Sequence, residues 1–236
     1  MDRASDIKKS LRGFANKEKA KILARFFKTG KGEYGNSDIF LGVMVPQQRK
    51  IAAEFKNLSF QEIKKLLKSK IHEERLTGLI ILVNQYKSGN EILREKNFKF
   101  YLKNISCVNN WDLVDLSCRD IAGNYLISCS EKNRKILYKL AKSKNLWHRR
   151  IAIVSTWAFI RIGDFKDALK ISEMLLSDKH DLAHKAIGWM LREVGKKDEP
   201  TLRKFLNKNV SKMPRTTLRY AIERFSEKDR KKYLIM

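Results

Sequence analysis

Three short segments of the chain share a pattern in which a basic residue precedes a strongly apolar stretch. They are HEERLTGLII, WHRRIAIVST and LAHKAIGWML, and their basic residues are Arg75, Arg150 and Lys185. Arg150 and Lys185 are 35 residues apart, and Arg75 precedes Arg150 by 75 residues, about two such periods. The stretch WDLVDLSCRDIAGNYL falls in the gap and completes the series. A period of roughly 35 to 40 residues with two helices each is typical of an α-solenoid of the HEAT or armadillo kind.

The rest of the chain also favours helices. It has only three prolines, and its apolar residues recur at helical spacing almost throughout. Ser59 and Glu62 have the spacing of a capping box, and Pro46 has a position typical of the first residue of a helix. Residues 28–45 are too rich in glycine for a helix and are predicted to form an extended loop. Further helices are predicted in NEILREKNFKFYLKNI, EKNRKILYKLAKS, FKDALKISEMLLS, PTLRKFLNKNV and EKDRKKYLIM.

These patterns predict an all-α fold, an α-solenoid of HEAT-like repeats, with residues 1–236 forming a single domain. An irregular all-α domain is the alternative. In a solenoid, equivalent helices of successive repeats line one concave surface. We therefore expect a concave groove in which residues distant in sequence lie side by side, and we expect the protein to be a monomer.

The charge of the chain indicates its class of partner. It has 51 Lys and Arg against 26 Asp and Glu, a net charge of +25, and the basic residues are spread along its whole length. Such a surface suits a polyanion, and nucleic acid is the favoured one; an anionic membrane surface or simple basic solubility is the alternative. No apolar run approaches the roughly 18 residues of a membrane helix, and the N-terminus lacks the apolar segment of a secretory signal.

A cytoplasmic location follows as an expectation, with nucleoid association when the protein is bound to DNA. The three cysteines, Cys107, Cys118 and Cys129, are odd in number and lack a CxxC pair, so we expect buried free thiols in a reducing compartment. His180 and His184 have the spacing of a helical metal pair, but no third ligand is evident. We predict no metal site and no cofactor.

Large aromatic residues lie at helical spacing from charged ones in three of the repeats. Trp111 and Asp115 are four residues apart, which places them on one face of a helix. The other two sets are Lys185, Trp189 and Arg192, and Trp147 with Arg150. Rings that pack on sugars and bases beside guanidinium groups that bind phosphates suit nucleic acid. Each residue alone also has a structural explanation, since Trp is commonly core, Arg can cap a neighbouring helix, and Asp115 can be a solvated carboxylate.

Four segments, taken in order, resemble the AlkD-like alkylpurine DNA glycosylases, repair enzymes built from HEAT-like repeats. They are IFLGVMVPQQRKI, WDLVD, LWHRRIAI and KAIGWMLRE, and the match covers most of the chain. The resemblance implies that Trp111, Asp115 and Trp189 form the catalytic set, with Asp115 as the catalytic carboxylate. It also implies that DNA is contacted by Arg150 and Arg192, and we add Lys185, Arg149 and Trp147 to that surface. Met44 departs from the family, whose well-studied members carry Gln after the FLG segment, and this bears on lesion preference.

The resemblance further implies an activity and a substrate. Members of the family hydrolyse the N-glycosidic bond of purines alkylated at N3 or N7 in double-stranded DNA, without a deep base-flipping pocket. A carboxylate such as that of Asp115 would stabilise the cationic sugar and orient water. Two alternatives are carried: a non-catalytic relative that binds distorted or branched DNA, and an α-solenoid scaffold for acidic proteins.

Overall fold

The computed structural model describes residues 3–36 and 38–236. Contacts within the chain divide it into two compact units, residues 1–117 and 118–236. Within the described ranges every regular element is helical, and an isolated bridge between Ile39 and Ile71 is the only pairing of extended backbone. The all-α prediction is therefore confirmed. No helix in these ranges is long and apolar enough to cross a membrane.

The first unit contains seven α-helices and one 3₁₀ turn, Ile105–Cys107, among its described residues. The helices are α1 (Ala4–Gly13), α2 (Lys17–Phe26), α3 (Val45–Glu54), α4 (Phe60–Leu67), α5 (His72–Ser88), α6 (Glu91–Lys103) and α7 (Trp111–Ser117). Ser59 caps α4 as predicted, but Glu62 does not complete a capping box. Its carboxylate instead accepts from the backbone amide of Ala4, 2.9 Å away, and so joins α4 to the start of α1. Pro46 lies in the first turn of α3.

The predicted loop is confirmed for residues 28–44, apart from Ser37, which lies outside the described residues. The loop is held by Glu73, which is 1 % exposed. One oxygen of this carboxylate accepts from the backbone amides of Leu41, Gly42 and Val43, at 3.0, 2.8 and 3.2 Å. Gly42 has a φ of 83°, and a Cβ there would lie 2.1 Å from the carbonyl oxygen of Asn16, so glycine is required.

The second unit begins with a single π-helical turn, Arg119–Gly123. The amide of Gly123 donates to the carbonyl of Cys118, five residues earlier, at 2.8 Å. The α-helices of the second unit are α8 (Asn124–Ile127), α9 (Glu131–Ala141), α10 (Leu146–Ser155), α11 (Trp157–Arg161), α12 (Lys166–Leu175), α13 (Asp181–Lys197), α14 (Glu199–Asn209), α15 (Arg215–Ala221) and α16 (Glu227–Ile235). A 3₁₀ turn is formed by Val210–Lys212. Helix α13 packs closely on α15 at Gly188, where a Cβ would lie 2.5 Å from the Cβ of Tyr220.

The recurrence seen in the sequence is present in the helix boundaries. Helices α7, α10 and α13 begin at Trp111, Leu146 and Asp181, each 35 residues after the one before. Asp115, Arg150 and Lys185 are therefore each the fifth residue of their helix. Arg75 is the fourth residue of α5, so the predicted register is wrong by one residue there, and its equivalent in α10 is Arg149 rather than Arg150.

A shared hydrogen bond supports this corrected register. The guanidinium of Arg75 donates to the carbonyl of Ser69 at 2.9 Å, and that of Arg149 donates to the carbonyl of Ser143 at 3.1 Å. His184, the fourth residue of α13, contacts the carbonyl of Asp178 at 2.5 Å through Nε2. In all three cases the acceptor lies six residues earlier, so each side chain ties the first turn of a long helix to the segment that leads into it.

None of the three cysteines, all of which lie in the described ranges, forms a disulfide. Cys118 is buried as expected, but Cys107 and Cys129 are partly exposed, so the prediction of burial is wrong for these two. Cys107 ends the 3₁₀ turn, and Cys129 lies two residues beyond the end of α8, so both are in places where the chain turns.

Candidate functional site

Helix α7 presents Trp111 and Asp115 one turn apart, and both side chains are partly exposed. The chain enters the helix through Asn110, whose side-chain oxygen accepts from the amide of Trp111 at 2.8 Å. Leu113 and Val114 lie between them and are fully buried, which fixes the opposite face of the helix to the core. A carboxylate and an indole are thus held on the accessible side of a short, well-anchored helix.

The neighbouring acid, Asp112, is engaged internally. One of its oxygens lies 2.8 Å from Nε2 of His72, and the other accepts from the amide of Leu113 at 2.8 Å. The second ring nitrogen of His72 lies 2.8 Å from Asp38, and the guanidinium of Arg75 donates to the other oxygen of Asp38 at 2.6 Å. Asp112 therefore fastens the start of α7 to the start of α5.

The charges in this network shift two pKa values. Burial by itself lowers the pKa of His72, but the charge and hydrogen bond of Asp112 and the hydrogen bond of Asp38 outweigh it and raise the pKa to about 9. Burial by itself raises the pKa of Asp38, but the hydrogen bond from His72 and the charge of Arg75 lower it below its ordinary value. The raised pKa of His72 favours its protonated form at neutral pH, in which both ring nitrogens donate to the flanking aspartates.

Aromatic rings surround the same network. Trp111 stacks on Phe27 with ring centroids 5.1 Å apart and planes 10° apart, and Phe40 stacks on His72 at 4.6 Å. Phe26 meets the edge of Trp111 at 6.0 Å and is 62 % exposed. The indole of Trp111 is therefore held rigidly by rings behind it while part of its surface stays accessible.

The first turn of α5 buries four consecutive ionisable residues, His72, Glu73, Glu74 and Arg75. Each has a partner. Glu74 lies 3.1 Å from Lys8 and 3.2 Å from Arg12 of α1, Glu73 accepts from the loop amides, and His72 and Arg75 share Asp38. Burial of a charge costs much less free energy when an opposite charge or a hydrogen-bond donor lies beside it. This turn thus joins α1, α7 and the loop of residues 28–44.

The residues of α10 that were expected at a DNA surface are largely buried or bonded within the protein. Trp147 is 9 % exposed, and Arg150 is 5 % exposed and donates to the carbonyl of Leu182 at 2.6 Å. Arg149 binds Asp178 through two nitrogens, at 2.5 and 3.1 Å. Trp147 and Arg150 are thus buried in the unbound protein, and the predicted contact of these residues with DNA stays a prediction.

The residues of α13 are more accessible. Lys185, Trp189 and Arg192 all lie on this helix and are partly exposed, as the spacing predicts. Lys185 forms an ion pair with Asp181 at 2.7 Å, and Arg192 forms one with Glu223. In the same helix His180 is the N-cap and accepts from the amide of Leu182, so its ring has a local structural role.

Comparison with known proteins identifies the family. A family model described as DNA alkylation repair enzyme matches residues 7–225. The chain belongs to the DNA alkylation repair enzyme family. No curated protein sequence matches it.

Two solved structures have a similar fold. One is a predicted DNA alkylation repair enzyme from Enterococcus faecalis, with 16 % identity, coverage of 90 % of this chain and 97 % of that one, and a TM-score of 0.69. The other is AlkD2 from Streptococcus mutans, with 19 % identity, coverage of 89 % and 99 %, and a TM-score of 0.54. The helical-repeat fold that the sequence predicts is thus confirmed for this chain.

Sequence reasoning missed the residues that hold the site. His72 and Asp38 are 34 residues apart, and Asp112 is a further 40 residues along the chain. The one available signal is the run HEER, because four ionisable residues at the start of an otherwise apolar helix are unusual. The positions of these four residues in the sequence do not show whether the first turn of α5 is exposed to solvent or buried in a network of ion pairs.

Proposed function

We propose that this protein is a DNA glycosylase that hydrolyses the N-glycosidic bond of N3- or N7-alkylated purines in double-stranded DNA. The observation that carries the proposal is the pairing of Trp111 with Asp115 in α7, one turn apart and both partly exposed, in a chain of the DNA alkylation repair family. Asp112 is the less suitable acid, since it fastens the start of α7 to His72 of α5 and caps the amide of Leu113.

The chemistry suits a carboxylate in a basic protein. An alkylated purine is already cationic, so it leaves as a neutral base with the electron pair of the broken N–C1′ bond and needs no general acid. Positive charge then grows on the sugar, and the negative charge of Asp115 stabilises it. The same carboxylate orients a water molecule, whose oxygen bonds to C1′ and whose proton passes to Asp115 or to solvent.

The aromatic residues have a supporting role in this proposal. Indole faces attract cations, so Trp111 and Trp189 would favour a cationic nucleoside over a neutral one by about 1–2 kcal/mol when water is excluded. Lys185 and Arg192 of the same helix as Trp189 would contact phosphates. Arg149, Arg150 and Trp147 would support the helices beneath, because their polar groups are bonded within the protein or buried.

A second candidate is a DNA-binding protein without glycosylase activity. The burial of Trp147 and Arg150 is the observation that favours it, because it leaves fewer accessible residues for a catalytic groove than the sequence predicted. This candidate keeps the basic surface and the helical-repeat fold and requires no role for Asp115.

The test is release of free base from methylated duplex DNA by the purified protein, followed chromatographically under single-turnover conditions. The proposal predicts release of 3-methyladenine or 7-methylguanine, and loss of about 10²-fold or more in rate for Asp115→Asn. The comparison variant is Asp112→Asn, which should lower the rate far less than Asp115→Asn does, measured where both variants are folded. Tight binding of DNA without release of any base would support the second candidate instead.

A further inference from the structure

Two arginines of the second unit share one indole ring. The guanidinium carbon of Arg119, in the π-helical turn, lies over the ring of Trp157 at 4.8 Å from its centroid. The guanidinium carbon of Arg161, one turn after Trp157 in α11, lies over the same ring at 5.1 Å. Arg161 is exposed, and Arg119 and Trp157 are partly exposed. We call these three residues the Arg–Trp–Arg stack.

In the described part of the chain, the two arginines of the stack have no ion-pair partner. Among the described residues, neither Arg119 nor Arg161 has an ion pair or a hydrogen bond, and the Nε of Arg119 is a buried donor without an acceptor. Indole attracts a cation through its π-face but offers these guanidinium groups no acceptor of comparable strength for their N–H donors.

Other arginines that lie over aromatic rings in this chain have acceptors. Arg134 lies over Phe159 and binds Asp164 and Asp167. Arg203 lies over Phe225 at 4.4 Å and binds Glu199 and Asp229. Arg94 lies over Tyr86 and donates to the backbone carbonyls of Tyr86 and Lys87. The pairing of a stacked arginine with an acceptor is thus the pattern elsewhere, and the Arg–Trp–Arg stack departs from it.

The ligand that completes such an arrangement is a phosphodiester. Two cations held against one ring repel each other, and an anion between or beside them removes that repulsion. Guanidinium groups bind phosphate oxygens through paired N–H donors, and a planar ring beside them can pack on a sugar. The ring also restricts both side chains before binding, which lowers the entropy lost when they contact the ligand.

We propose that the Arg–Trp–Arg stack is a contact site for the phosphate backbone of duplex DNA. The proposal rests on the proposed function to the extent that the chain binds DNA, and it assigns part of that binding to residues outside α7 and α13.

The experiment measures affinity for an undamaged duplex against salt concentration by fluorescence anisotropy. Each arginine that neutralises one phosphate contributes about one unit to the slope of log K against log[salt]. Arg119→Gln and Arg161→Gln should each lower the slope by about one unit and the double variant by about two. The matched control is Arg203→Gln, which removes the same charge from an arginine already bound to two carboxylates and should leave the slope unchanged.

Three outcomes would overturn the proposal. A wild-type slope in the folded double variant would remove the site and leave the glycosylase proposal standing, provided that methylpurine release persists. Binding of poly-glutamate, a model for an acidic protein, is measured with the same variants. If the double variant loses poly-glutamate binding but keeps its duplex binding, the ligand of the stack is an acidic protein instead of DNA. Failure of the wild type to bind duplex DNA at low salt would overturn both proposals. Arg161→Gln alters an exposed side chain, so it gives a result even if Arg119→Gln does not fold.

Discussion

The imidazole of His72 bridges two carboxylates, with Nδ1 at 2.8 Å from Asp38 and Nε2 at 2.8 Å from Asp112. Because Asp112 follows Trp111 directly, this bridge sets the start of the helix that carries both Trp111 and Asp115. A buried imidazolium in this position links the geometry of the candidate site to the protonation of one residue.

The stability of the protein should fall as the pH rises from 6.5 to 9. The pKa of His72 is raised to about 9 in the folded state, above the 6.5 of an unfolded histidine. Its contribution is therefore fully present below pH 6.5 and is lost as the pH rises through about 9, a difference of about 3 kcal/mol. Urea unfolding measured at pH 6.5 and 9.5 should show this difference in the wild type and a much smaller one in His72→Gln. An equal pH dependence in both proteins would contradict the assigned charge.

Asp112→Asn and Asp115→Asn should separate stability from activity. Asp112→Asn removes the partner of a buried imidazolium, so the free energy of unfolding should fall by about 3 kcal/mol and the pKa of His72 should decrease. Asp115→Asn should lower the free energy of unfolding less than Asp112→Asn does, while lowering the single-turnover rate. The two quantities are measured by urea unfolding and by base release. If both variants lost stability equally, Asp115 would belong to the structural network as well.

Arg150→Ala tests whether a residue expected to bind DNA is instead structural. Arg150 is 5 % exposed and donates to the carbonyl of Leu182. We expect the free energy of unfolding to fall by about 1–3 kcal/mol, because a buried acceptor loses its donor. The salt slope of DNA binding should stay at its wild-type value. A slope lower by one unit in a fully folded variant would restore Arg150 to the DNA surface.

Gly188→Ala should destabilise the second unit. A Cβ at this position would lie 2.5 Å from the Cβ of Tyr220 and 2.6 Å from the carbonyl oxygen of Thr217, so α13 and α15 must move apart. The expected cost is about 1–3 kcal/mol or more, measured by thermal or urea unfolding. Gly13→Ala is the control, since a Cβ there meets nothing within 4 Å. That variant should be neutral or slightly more stable, because alanine favours the helix.

The helices were predictable because their signals are local. Apolar periodicity located the long helices, and the 35-residue spacing placed Asp115, Arg150 and Lys185 at equal positions in theirs. The roles of those residues were less predictable, because burial depends on which helix lies opposite. Arg149 and Arg150 are adjacent and chemically alike. Arg149 nevertheless donates to the carbonyl of Ser143, just before its own helix, whereas Arg150 donates to the carbonyl of Leu182 in α13.

The parts that escaped prediction depend on contacts between distant segments. The sequence around His72 gives no indication that Asp38 and Asp112 lie on either side of its ring. The unpaired state of Arg119 and Arg161 was equally hidden, because it is defined by the carboxylates that are absent from their surroundings in the described part of the chain. Neither property has a signature in residue spacing.

The contact between Glu73 and the amides of Leu41, Gly42 and Val43 has a practical consequence for a protein that is studied in salt. Most attractions of a +25 chain weaken as ionic strength rises, but a buried carboxylate bound to backbone amides is screened far less. The segment that leads to Met44 and α3 should therefore keep its shape from dilute buffer to molar salt. When salt weakens DNA binding, the weakening can therefore be assigned to the screened basic surface rather than to a change in the structure of this loop.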